Sequence, residues 1–125
     1  IRAAKSAQLR LAELTHQLPA TIHGPLQTGI AVHLGEVVYG NIGARTRLDF
    51  TVMGRAVNLV ARLQNVTGDL GENVLFSAAV AEHLDEPIES IGEYSFKGVE
   101  QTVEVFRVAP KDERPPEKKY RRKEL

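Results

Sequence analysis

The sequence has 125 residues, room for one small domain and not two. Hydrophobic residues make up 42% and charged residues 26%, the balance of a globular chain rather than a disordered one. Formal charge is zero and cysteine is absent, which excludes a disulfide framework, a zinc ribbon and a thiol nucleophile and fits a reducing compartment.

No apolar run approaches the ~20 residues that span a bilayer, and no signal peptide opens the chain. The first residue is Ile1, and the sequence reads as a piece of something longer. Residues 2–18 carry Ala4, Ala7, Leu11, Leu14 and Leu18 at three–four spacing, which predicts a helix that Pro19 ends. His23-Gly24-Pro25 predicts a turn. Leu26, Thr28, Ile30, Val32 and Leu34 then alternate with Gln27, Gly29, Ala31 and His33, the pattern of a strand with one buried face. Gly35-Glu36 can turn the chain into a second strand, Val37–Ile42, and the pair predicts a hairpin in which Gly40 and Gly43 leave room for close backbone approach.

A short strand around Leu48–Val52 leads into "GRAVNLVARLQNV", where Arg55, Asn58, Arg62 and Asn65 are spaced three, four and three apart. At 100° per residue these four fall in an arc of roughly 80°. Ala56, Val57, Leu59, Val60, Ala61 and Leu63 cover most of the rest, so the helix reads as a mostly buried rod with a narrow polar stripe. The stripe is either a strip of solvent contact or the wall of a site. Gly68–Asn73 predicts a loop and Val74–Phe76 a short strand; Ser77 is a suitable N-cap for a helix through Leu84. Two more strands follow near Tyr94–Phe96 and Val103–Val108, joined around Lys97-Gly98. Strands and helices mix without regular βαβ alternation, which points to an α+β sandwich.

From Pro110 onward there are seven Lys/Arg and four Asp/Glu, a net of +3, against nine and twelve, a net of −3, before it. With three prolines and almost nothing to bury, residues 110–125 read as a disordered basic tail or linker, solvated rather than bound to nucleic acid.

Most signals for chemistry fail on detail. "GEVVYGNIG" lacks the Lys-Ser/Thr that closes a nucleotide P-loop, and its glycines suit a hairpin. His16, His23, His33 and His83 lack metal-motif spacing, and His33 reads as structural. Ser77 has no Gly-x-Ser-x-Gly context. Asn58 and Arg62 remain, four apart and therefore stacked on one helix face. Beside a phosphate, a guanidinium fork and an amide could orient a ribose and stabilise charge that builds during phosphoryl transfer; beside water they are a solvated stripe.

"GIAVHLGEVVYGNIG", then "RLDFTVMGRAVNLVARLQ", then "FKGVEQTVEVFRV" resemble the later part of a class III nucleotidyl cyclase catalytic domain, over about Ala3–Val108. The aromatic-Thr-x-x-Gly-x-x-Val-Asn-x-x-x-Arg pattern at the centre is specific to that family. The resemblance implies a ferredoxin-like α+β sandwich that dimerises head to tail with nucleotide at the interface. It gives Asn58 the place of the residue that orients the ribose, and Arg62 that of the residue that stabilises the pentavalent phosphate. Thr51 stands where the purine is contacted, and Lys97 where a lysine binds the triphosphate. Thr51 resembles a mainly bacterial branch that uses ATP, although a hydroxyl alone would not exclude guanine.

Two departures from the family stand out. Arg55 follows Gly54 where many relatives carry Asp. The segments that carry the two metal-binding aspartates and the adenine-reading lysine in the family have no counterpart here, so residues 1–109 hold the transition-state half of a site. The resemblance thus implies an adenylate cyclase that forms cyclic AMP and pyrophosphate from ATP, a phosphorus–oxygen lyase whose two Mg²⁺ or Mn²⁺ ions are ligated upstream. It implies a homodimer in the cytoplasm, attached to a membrane only through other regions. This piece alone is expected to be inactive, with unpaired sheet edges and uncovered apolar faces that favour aggregation. A degenerate cyclase-like module that binds nucleotide or a partner without catalysis is the alternative.

Overall fold

The computed structural model describes residues 1–19, 24, 26–42, 49–110 and 123–124. Helix α1 (Arg2–Gln17) opens the chain and is followed by β1 (Ile30–Val32), β2 (Val38–Ile42) and β3 (Asp49–Met53). Then come α2 (Arg55–Asn65), β4 (Val74–Ser77), α3 (Ala78–Ala81), β5 (Ile88–Ser95), β6 (Val103–Val108) and β7 (Lys123–Glu124). Five strands form one sheet in the order β1-β4-β6-β5-β7, and β2 with β3 form a separate ribbon.

Side chains alternate across a strand, so the main sheet is covered on both faces. On one face Leu75 of β4, Val105 of β6 and Tyr94 of β5 pack with Leu63 and Val66 of the α2 region and with Phe96. On the other face Phe76 and Phe106 stack with centroids 6.3 Å apart. Helix α1 shares a groove with Val74 and Val108 there, and Gln8 Nε2 ties it down by donating to the carbonyls of Thr28 (2.8 Å) and Asn73 (3.3 Å). Lys5 pairs with Glu86. The α+β sandwich expected from the sequence is thus the architecture observed.

Several local expectations differ from what forms. The strand expected over Leu26–Leu34 is confined to Ile30–Val32, and all three residues are half-buried, with Ala31 packed against the core. It makes no hairpin with Val37–Ile42. Instead β1 pairs in parallel with β4, and the crossover that a parallel pair requires is supplied by the ribbon and α2. The hairpin is β2 with β3, Gly40 standing opposite Thr51. Ser77 does precede a helix but does not cap it with its side chain; its hydroxyl bonds His33, and α3 stops at Ala81 rather than Leu84.

Strand β5 starts at Ile88, well before Tyr94. Helix α2 is less buried than its composition suggests, with Leu63 its one fully buried residue. Its Val57, Val60 and Ala61 line an open groove against Gly29–Ala31. Of the turn expected at 23–25, His23 and Pro25 lie outside the described residues, as do Gly43, Leu48 and most of the tail. Lys123 and Glu124 of that tail pair with Tyr94 and Ser95.

Candidate active site

Strand β3 runs into α2 through Gly54, whose φ of +137° is open to glycine and strained for any L side chain. Asn58 N donates to the Gly54 carbonyl at 3.2 Å, which starts the helix with Asn58 one turn in. Apolar residues Leu59, Leu63 and Val66 turn toward the sheet, and this fixes the rotation of α2 about its axis. Asn58 then faces a cleft of ≈ 290 Å³.

The β5–β6 turn lines the same cleft. Phe96, 5% exposed, anchors it in the core, and Val99 N closes it by donating to the Phe96 carbonyl at 3.0 Å. Gly98 adopts φ +82°, and a Cβ on it would lie 3.6 Å from Asn58 Nδ2, so the turn and the helix amide are in van der Waals reach. Glu100 and Gln101 extend the lining.

His33 also lines the cleft, just past the end of β1. Its Nδ1 lies 2.7 Å from the hydroxyl of buried Ser77 at the end of β4. Burial lowers its pKa below the 6.5 of a free imidazole, so the ring is neutral at neutral pH. Gly35 seals the contact between this corner and α2. A Cβ at Gly35 would stand 2.7 Å from Ala56 Cβ and 2.8 Å from His33 Nε2, closer than packed atoms approach. The histidine read as structural from sequence is therefore both a strut between two strands and part of the cleft wall.

The residues singled out by sequence are not all gathered here. Asn58 lines the cleft, and Lys97 is exposed in the turn directly before Gly98. Arg62 is half-buried one helical turn beyond Asn58, outside the lining, and makes no hydrogen bond or ion pair among the described residues. Thr51 is exposed on β3, also outside it. Sequence reasoning did not assign Glu100 or Gln101, which carry no motif of their own; adjacency to Lys97-Gly98 was the available signal. Arg55, noted for its position, belongs to the cleft wall.

Among the described residues no group of three or more His, Cys, Asp or Glu side chains could hold a metal ion. The donor set in hand does not fit one, and no step through a metal follows from these residues. No described helix is long and apolar enough to cross a membrane.

The profile of the adenylate and guanylate cyclase catalytic domain matches residues 1–109. The chain is 36% identical to an adenylate cyclase of Anabaena cylindrica over 80 residues, which are 64% of this chain and 15% of that protein. Among solved structures, a bacterial light-regulated adenylyl cyclase superposes with a TM-score of 0.74 at 31% identity, covering 86% of this chain and 32% of that one. The guanylyl cyclase Cya2 superposes with a TM-score of 0.67 at 32% identity, covering 82% and 52%. The chain thus spans a small part of the curated relative and up to about half of these solved chains.

Proposed function

This chain belongs to the adenylate and guanylate cyclase catalytic domain family, and we propose that the protein containing it converts ATP to cyclic AMP and pyrophosphate. The observation that carries this reading is the approach of Asn58, from the first turns of α2, to the Lys97-Gly98 turn across a cleft. In this reading the ribose 3′-hydroxyl gives up its proton to solvent and its oxygen attacks the α-phosphorus, a new P–O bond closes the ring, and the bond to the β-phosphate oxygen breaks to release pyrophosphate.

Each side chain then has a part that suits its chemistry. The Asn58 amide both donates and accepts, and so can hold the ribose hydroxyl in line with phosphorus. The Arg62 guanidinium is a permanent cation with a planar fork, suited to the charge that gathers on the equatorial oxygens as the α-phosphate becomes five-coordinate. Lys97, exposed at a glycine turn, supplies a mobile ammonium for the triphosphate. The Thr51 hydroxyl, on the strand that feeds α2, contacts the purine edge, and ATP is the substrate it favours.

Catalytic domains of this family typically act as dimers, and in this reading the nucleotide spans two subunits of a homodimer, where it meets Arg62 and Thr51, which lie outside the cleft lining of one chain. Divalent metal ions, Mg²⁺ or Mn²⁺, would be held by residues outside this chain and would supply activation of the nucleophile and charge neutralisation. The catalytic domain would work in the cytoplasm, with any membrane attachment made elsewhere in the protein.

The deciding experiment assays the full-length protein with ATP and GTP in parallel. Formation of cyclic AMP from ATP in preference to cyclic GMP from GTP is the expected result. Tight ATP binding with no cyclic product would favour a regulatory, non-catalytic module.

A further inference from the structure

We propose that Arg55 is a further substrate-binding residue of this cleft, contacting the polyphosphate end of the nucleotide beside the Lys97-Gly98 turn. The inference rests on the nucleotide reading above and adds a cation that reading does not use.

Arg55 is the first residue of α2, three positions before Asn58, and it lines the same ≈ 290 Å³ cleft. Its side chain is exposed and makes no hydrogen bond or ion pair among the described residues. Glu100 lines the cleft too, yet the two do not pair. Arg107 bridges Glu72 and Glu89, and Arg10 meets Glu13 along α1, whereas Arg62, one of the residues given a part in the nucleotide reading, is without such a partner among the described residues, as Arg55 is.

A cation at this position is locally unfavourable. The first turn of a helix carries the positive end of its dipole, and acidic residues are the ones preferred there. Here the first turn holds no acidic residue, and Gly54 has no side chain with which to cap it. An anion in the cleft reverses the sign of this effect, because it meets both the guanidinium and the helix end. Arginine suits such an anion better than lysine does, since its planar fork binds two phosphate oxygens at once. The cleft is also small, near the lower limit of ligand pockets, and is sized for part of a nucleotide rather than all of it.

The test uses the full-length protein and compares Arg55→Gln, Arg55→Glu, Arg55→Lys and, as a control, Arg10→Gln, which removes the same charge from α1 outside the cleft. Two constants are read: KM for ATP and the inhibition constant of inorganic tripolyphosphate. Arg55→Gln should raise both by about 3–10-fold, with the larger share of the loss in KM rather than kcat, as expected for a contact made equally in ground and transition states. Arg55→Glu should raise them further, Arg55→Lys should recover part of the loss, and Arg10→Gln should leave them unmoved. Constants for Arg55→Gln within about twofold of wild type, or an equal shift in Arg10→Gln, overturn the proposal. A full-length protein that makes no cyclic nucleotide removes the function reading and this inference together; an active one with unmoved constants removes this inference alone.

Discussion

Replacing Gly29 by alanine should loosen the seat of α2. A Cβ at Gly29 would stand 1.8 Å from Thr67 Oγ1, 2.7 Å from Thr67 Cβ and 3.1 Å from Thr67 Cγ2. Thr67 is 5% exposed and cannot swing into solvent. Its hydroxyl donates to the Gln64 carbonyl at 2.8 Å, while Gln64 Nε2 donates to the Gly29 carbonyl at 3.3 Å, so the end of α2 and the start of β1 are closed on each other. Accommodating the methyl costs about 1–3 kcal/mol of overpacking. Displacing the Thr67 hydroxyl from its acceptor adds roughly 1 kcal/mol. Reduced freedom of the unfolded chain returns about 0.4–1 kcal/mol. The net loss is about 1–3.5 kcal/mol, with the overpacking cost setting its upper end.

Urea unfolding followed by circular dichroism measures it, with Thr67→Ala supplying the double-mutant cycle. Truncating Thr67 removes the worst contact but leaves its Cβ, so Gly29→Ala should cost at least about 1 kcal/mol less in that background. A wild-type midpoint for Gly29→Ala, or the same penalty with Thr67 truncated, would refute the packing account.

Other outcomes follow from the same structure. Burial holds the His33 pKa in the folded chain below 6.5, so the unfolded chain takes up this proton first as pH falls. The stability His33 contributes is complete above that value and is lost as pH drops below it toward the folded pKa. In His33→Asn, the fall in melting temperature between about pH 7.5 and pH 5.5 should be shallower than in wild type; an identical slope would exclude His33 as its source. Arg107→Met should lower stability by about 1–2 kcal/mol in urea unfolding, a figure reduced for the partial exposure of its partners. It strands Glu72 and Glu89, whose side chains are 21% and 25% exposed, and the penalty should shrink when both are changed to Gln.

What was legible in the sequence is what short-range chemistry determines. Helix α2 was plain, because Gly54, the apolar positions and the four-residue spacing of Asn58 and Arg62 all agree within one segment. The hairpin assigned to residues 26–42 failed because two strands flanking Gly35-Glu36 have no local mark of their partners. Strand β1 chooses β4, whose Val74 stands 44 positions from Ile30, and the burial of Leu75 and Phe76 on both sheet faces favours that choice. Ser77 has the right chemistry for an N-cap, yet its hydroxyl is taken by a histidine equally remote in sequence. The first half of β5 was hidden by its polar residues, which face partners on β6: Glu89 meets Arg107 and Ser90 donates to Glu104. A register shift between Ser90 and Gly92 also breaks the alternation.

The candidate site shows the same division. Spacing alone drew attention to Asn58 and Arg62, and the cleft at Asn58 adds what spacing could not supply. Thr51 and Lys97 came only from resemblance, since an exposed threonine on a strand and a lysine at a glycine turn are ordinary in isolation. His33 joins the cleft through its bond to Ser77 at the end of β4, and Arg55 lines it opposite the β5–β6 turn, which no local pattern encodes.

The central claim is that the polar stripe of α2 acts on a reacting phosphate. Turnover of Arg62→Ala in the full-length protein tests it most directly. Loss of one transition-state donor predicts a fall in kcat of about 10²–10³, with the fold intact by circular dichroism and KM for ATP changed far less. Turnover close to wild type in a folded variant would contradict the account and return the stripe to solvent.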